Sequence, residues 1–240
     1  MVRRARSAVN PARHLRRSGR RLRRRFTGTL THVRTSEKVA ALTFDDGPHP
    51  VFTLQLLQIL EGHSAYATFF MVGSRAAQWP DLLNRVAERR HSVGNHSWDH
   101  PWFTEINPRE RRRQLRTCQR ALSPHAGRLF RPPGGRQDDA SRRAALMMGF
   151  EVVGWSVDVR DWEARAADEM ADELVEKIRP GAIVLLHDNV IDATSPGPAD
   201  RTALLEAVAA TLRRLPGYRF VTVPTLMRLG RPQRGEWTHA

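Results

Sequence analysis

The sequence predicts an α/β protein, a distorted (β/α) barrel of about seven parallel strands in a single domain. Three observations carry that expectation. From Lys38 onward, short runs rich in branched and apolar residues alternate with helical patterns. A chain of 240 residues can bury one sizeable core but not two comfortable ones. The conspicuous polar clusters, Asp45-Asp46, His96 to His100, Arg131 to Gly135, Asp158 to Trp162 and His187-Asp188, each follow a strand-like run. In such folds the carboxyl ends of parallel strands gather on one face, where ligands bind. Five distant segments are therefore expected to converge on one pocket.

The strands expected in order are Val39 to Phe44, Ala67 to Val72, Ser92 to Asn95, Leu129 to Arg131, Val152 to Val157, Ala182 to His187 and Arg219 to Val223. Between them, a helix is expected from Asn107 as cap through Pro108 in the first turn to Leu122, with Glu110 closing a capping box. A second helix is expected over Asp168 to Ile178. Met170, Leu174 and Ile178 recur on one of its faces, Glu173 pairs with Lys177, and Pro180-Gly181 ends it.

Charge divides the chain unevenly. Of a formal +14, residues 1 to 35 hold twelve arginines and no acid, which leaves 27 basic against 25 acidic residues downstream. A basic, apolar-poor segment cannot bury enough surface to offset its ordering entropy. The expected division is a basic disordered arm over 1–36, a folded domain over 37–230 and a tail over 231–240. The arm suits an anionic membrane or polymer, at up to about 1 kcal/mol per basic residue close to the surface. It has one aromatic, Phe26, and no known nucleic-acid module, so no specific nucleic-acid partner is expected. Neither a signal-like apolar run nor a transmembrane stretch is visible, and a cytoplasmic or peripherally membrane-associated protein is expected. The single cysteine, Cys118, excludes an intramolecular disulfide and a cysteine metal site, so any metal must use His, Asp or Glu.

His96 and His100 have the spacing that puts two imidazoles on one side of a turn, although Pro101 disfavours a helix there. Alone, the pair is equally well read as polar loop residues. Asp45-Asp46 at the end of an apolar strand adds to it, because adjacent carboxylates repel and need a cation or donors nearby. Two histidines and one carboxylate make three protein ligands and leave a position for water, as hydrolytic metal sites require. Lowering the pKa of that water from 15.7 to about 7 is worth about 12 kcal/mol.

The segments Thr43 to Pro48 (TFDDGP), His96 to His100 (HSWDH), Arg131 to Gly135 (RPPGG), Asp158 to Trp162 (DVRDW) and Leu185 to His187 (LLH) stand in the order of the five motifs of the polysaccharide deacetylase family. Over about Lys38 to Pro224 the chain resembles that family, whose members share the fold of nodulation-type chitooligosaccharide deacetylases. The resemblance implies that Asp46, His96 and His100 bind the metal and that Asp45 is the general base, oriented by Arg131. It implies His187 as general acid tuned by Asp161, with Trp162 and Leu185 walling the acetyl pocket. The implied cofactor is one divalent ion, zinc first and cobalt or nickel next. The implied substrate is a carbohydrate bearing N-acetylglucosamine, with chitooligosaccharide or another β-linked polymer expected. Many members carry a tyrosine at the position of Gly134, whose N–H helps hold the oxyanion; glycine keeps the N–H and loses the aromatic wall.

An O-acetyl esterase acting on xylan would use the same residues. A nucleic-acid-binding arm on a silent domain is the reading from another class. Outside the motifs, Cys118, His63, His91 and His125 are expected to be structural. His49 is left between the cleft and a helix entry, and Trp98 and Trp102 between sugar stacking and core packing.

Overall fold

A computed structural model describes residues 28–191 and 199–237. The disorder expected at the start of the arm falls on residues outside that range. Strand β1 is Thr29–Arg34, β2 Val39–Asp45, β3 Ala67–Met71, β4 Ser92–Asn95 and β5 Ala126–Phe130. They are followed by β6 Glu151–Val152, β7 Val157–Asp158, β8 Ile183–His187, β9 Arg219–Phe220 and β10 Arg231–Gly235. The helices are α1 Phe52–Gly62, α2 Gly73–Gln78, α3 Pro80–Glu88, α4 Pro108–Ala121, α5 Asp139–Met147, α6 Ala167–Lys177, α7 Thr202–Arg214 and α8 Val223–Arg228.

Seven strands lie side by side in the order β6-β5-β4-β3-β2-β8-β7, and β9 pairs with the start of β2. Every one of these pairings is parallel. Flat, such a sheet would hold its edges about 29 Å apart. The chain from Val152 to Val157 joins those two edges, and five residue steps reach at most about 17 Å. The sheet must therefore curl into a partial barrel, as expected from the sequence.

This connection corrects the single strand expected over Val152 to Val157. Val153 bonds to Phe130 on one edge, while Ser156 bonds to Ile183 on the other. An apolar run gives no sign of such a crossing, because both halves are buried. Two further boundaries change. The folded part begins with β1, inside the stretch expected as arm, and β10 lies in the stretch expected as tail. The two strands pair antiparallel and plug the gap, with Leu30 bridging Val153 and His32 bridging Ala182. Leu30 and Val33 are fully buried among twelve arginines that mask them in any composition window. Gly181, at φ +83, admits the ribbon, since a Cβ there would fall 1.6 Å from the Val33 carbonyl oxygen.

The helix expected at Asn107 forms, and the Asn107 side chain accepts from the Arg109 and Glu110 N–H groups. Glu110 does not close a box; it bonds Arg113 and Gln114 instead. Strand alternation then decides what faces where. Ala40, Leu42 and Phe44 of β2, with Val184 and Leu186 of β8, pack outward in the helix-facing core. Val39, Ala41, Ile183 and Leu185 face the barrel interior with Phe70, Val153 and Trp155. The same alternation aims Thr43, Asp45 and His187 inward. No helix among the described residues is long and apolar enough to cross a membrane.

Candidate active site

The carboxyl ends of the strands open into a cleft of ≈ 390 Å³ lined by Asp45, Asp46, His96, His100, Gly134, Trp162, Leu185 and His187. Eight of the ten sequence-predicted site residues thus meet at its surface. Arg131 and Asp161 lie one layer behind, fully buried, each touching a residue that faces the cleft.

Asp45 ends β2 and is held from behind. The Arg131 guanidinium donates to Asp45 Oδ1 at 2.8 Å and to Thr43 Oγ1 at 2.7 Å. Its remaining donors reach the carbonyls of Val153 and Gly154, at 3.3 and 2.9 Å. Phe70 packs against its face at 4.2 Å. A buried arginine is tolerated when its donors are used in this way. Asp45 Oδ2 takes no part in that pair and lies 3.8 Å from His96 Nε2.

The next three groups converge. Asp46 turns away from Asp45 through a left-handed backbone at φ 72, and His100 sits at φ 66 in the turn after β4. Such angles cost non-glycine residues about 1–2 kcal/mol and need support. Asn189 bonds the Asp46 carbonyl, the Ile191 N–H bonds Oδ2, and Ser97 Oγ accepts from the His100 N–H. Asp46 Oδ1 then lies 3.2 Å from His96 Nε2 and 3.1 Å from His100 Nε2.

These three atoms fit a cation. His96 Nδ1 lies 2.8 Å from the Arg131 carbonyl, which can only accept, so Nδ1 is the donor nitrogen and Nε2 is the one turned to the cleft. That Nε2 faces a carboxylate oxygen that has no hydrogen-bond partner of its own. Burial opposes the Asp46 charge, and the adjacent His100 and His96 imidazoles, with His187 adding to them, outweigh it and hold that carboxyl well below the usual range. A divalent ion between them would hold the carboxylate in the same way. Donor atoms about 2.0–2.2 Å from one ion stand roughly 3 Å apart, in line with the 3.1 and 3.2 Å seen here.

On the opposite wall, Asp161 Oδ1 lies 3.0 Å from His187 Nδ1, and Oδ2 accepts from the His187 N–H at 2.9 Å. Burial pushes the imidazole towards neutrality. The Asp161 charge and hydrogen bond, aided by Asp46 and Asp45, outweigh it and raise the pKa to about 9. Trp162 stands edge-on to the ring at 5.4 Å.

Sequence reasoning missed the group that supports this wall. Arg201 donates to Asp161 Oδ2, to the Asp161 carbonyl at 2.8 Å and to the His187 carbonyl at 3.0 Å. One arginine among many carries no signal of burial. Asp188, named above only as part of a strand-end cluster, has a carboxyl that accepts from Thr53 and lies so close to Gly47 that a Cβ there would overlap it. Trp155 and Arg136 of the cleft lining were missed too, while Trp102, left undecided above, lines the mouth.

The residues set aside fall elsewhere. Cys118 is buried and its thiol is pushed up to about 12 by that burial. His91 Nδ1 accepts from the Ala67 N–H, while at the surface His63 bonds the Ile59 carbonyl and His125 the Asn84 side chain. His49 Nδ1 accepts from the Val51 and Phe52 N–H groups at the entry to α1, and Trp98 packs against the outer core.

Known proteins share this fold and these sequences. The chain is 36% identical over 209 residues to a peptidoglycan-N-acetylglucosamine deacetylase of Bacillus cereus, covering 84% of this chain and 94% of that protein. It is 33% identical over 207 residues to a chitooligosaccharide deacetylase of Azorhizobium caulinodans, covering 85% and 95%. The crystal structure of the Bc1960 peptidoglycan N-acetylglucosamine deacetylase superposes with a TM-score of 0.76 at 30% identity, covering 86% of this chain and 96% of that one. Residues 32–153 match the family model described as polysaccharide deacetylase, and the chain belongs to that family.

Proposed function

We propose that this protein is a divalent-metal-dependent deacetylase that hydrolyses the acetamide of N-acetylglucosamine units in a glycan of the chitooligosaccharide or peptidoglycan type. The observation that supports it most is the orphaned Asp46 Oδ1 facing two imidazole nitrogens, with Asp45 on one side and His187 on the other. Asp46, His96 and His100 would hold the ion. Zinc is the first choice for two imidazoles and a carboxylate, with cobalt or nickel next. When bound, the ion supplies Lewis acidity to a water and to the acetyl oxygen.

The chain's own groups do the rest. Asp45 has one oxygen committed to Arg131, so the free Oδ2 takes the proton as water adds to the acetyl carbon. The Gly134 N–H is a donor for the oxygen on which charge develops. His187 has Nδ1 committed to Asp161, so its Nε2 is left to protonate the departing nitrogen as the C–N bond breaks. Amines leave poorly without a proton, and an imidazolium raised to about 9 holds one at neutral pH. Trp162 and Leu185 wall the space for the acetyl methyl group.

The test is acetate release from chitin oligomers by protein loaded with zinc, stripped with a chelator and reloaded. Release that disappears on stripping and returns with the ion supports the reading. Release unaffected by complete removal of the ion would sink the metal-dependent mechanism.

A further inference from the structure

At the cleft, the Arg136 guanidinium sits over the Trp102 ring, its carbon 3.7 Å from the ring centroid. Both residues line the cleft, and Arg136 is the one arginine or lysine among its lining residues. Gly134 lies beside this pair. Its backbone sits at φ +60, and a Cβ there would meet Trp102 Nε1 at 3.6 Å and Arg136 Cγ at 3.8 Å. A larger side chain would have to share the space the Arg136 stem and the Trp102 indole now fill.

A stacked guanidinium keeps its in-plane N–H donors, a rigid fork that matches a carboxylate. No ion pair is formed by Arg136 among the described residues, and its guanidinium lies over the Trp102 ring. Trp102 is 40% exposed, so the platform is reachable from solvent. Neutral chitin offers nothing that uses this charge. A glycan with an acidic substituent, such as the lactyl carboxylate of muramic acid, does.

We propose that Arg136, laid on Trp102, binds a carboxylate of the glycan and makes this cleft selective for acidic N-acetylated glycans over neutral ones. The proposal rests on the glycan reading above and narrows its substrate class. Trp102 acts as the positioning residue that holds the fork flat.

The test is calorimetric binding to the full-length zinc-loaded chain in an Asp45→Asn background, which prevents turnover. The probes are a peptide-free tetrasaccharide of alternating N-acetylglucosamine and N-acetylmuramic acid, and the same tetrasaccharide with its carboxylates methylated. The acid form is expected to bind about tenfold tighter, as one half-exposed charge-assisted bond supplies. The preference should shrink at high salt, vanish in Arg136→Gln and persist in part in Arg136→Lys. Equal affinity for acid and ester, binding of neither, or an unchanged preference in Arg136→Gln would overturn the proposal. Acetate release by the parent chain from the acid tetrasaccharide is scored separately: its absence counts against the deacetylase reading, while the affinity ratio alone judges Arg136.

Discussion

Arg131 Nη1 donates to Asp45 Oδ1 across 2.8 Å, with the two side chains only 0% and 4% exposed. Removing the cation from a buried pair strands the partner's charge, at a cost of about 3–5 kcal/mol. Arg131→Met is expected to lose stability in that range, read by urea unfolding. Arg131→Lys should also lose much of it, since one ammonium cannot serve Thr43, Asp45, Val153 and Gly154 together. A loss below about 1 kcal/mol in both variants would contradict the view that this arginine organises the base.

Asp46→Ala, His96→Ala and His100→Ala are each expected to lose retained metal and activity together, by at least the roughly 10–100-fold seen even for groups that only support a ligand. Metal analysis of the purified variants checks it. Unchanged stoichiometry in His96→Ala would place the ion elsewhere.

The alkaline limb of activity follows His187. Its folded pKa is raised to about 9, so the proton it donates is present below that pH and is lost as pH rises through it. A cation bound beside Asp46 adds positive charge and moves the limb of the loaded enzyme below the metal-free value. Asp161→Asn removes the largest raising influence and should shift the limb to lower pH, seen in the pH profile of kcat/KM. A limb that stays in place would mean that another group supplies the proton.

His91 predicts acid sensitivity of the fold itself. Burial, with Arg89 adding to it, pushes its pKa from 6.5 down to about 4. The unfolded chain therefore gains a proton below about pH 6.5 that the folded chain refuses until about 4. Stability falls across that window by about 3 kcal/mol. His91→Gln should flatten the fall in unfolding measurements at pH 4.5 to 7, and an unaltered slope would assign the acid sensitivity to other groups.

The sequence made much of this legible because catalysis depends on residue types at strand ends, where runs such as Val39 to Asp45 announce both the strand and its terminus. Alternation along β2 and β8 even fixes which residues face inward. What stayed hidden depends on position alone. β1 and β10 meet across almost the whole chain, and β10 contributes backbone pairing from Arg-Pro-Gln-Arg-Gly, a segment with no apolar residue to mark it. The crossing at Val153 to Ser156 looks like a strand because both flanks are buried. Arg131 could be found from a motif, whereas Arg201, equally buried, could not, since it follows no strand and has the composition of a surface residue.

The division of labour between two adjacent carboxylates is the centre of the account, and Asp45→Asn tests it most directly. The amide keeps the shape of the carboxylate but cannot take a proton. Metal content and acetate release should be measured on the same zinc-loaded preparation, with chitin oligomers, peptidoglycan and acetylated xylan offered in parallel. The parent chain is expected to release acetate from an N-acetylated glycan, and Asp45→Asn to keep its metal while losing at least about 10²–10⁴ in rate. Metal lost with the substitution would make Asp45 a ligand, and acetate from xylan alone would contradict amide hydrolysis.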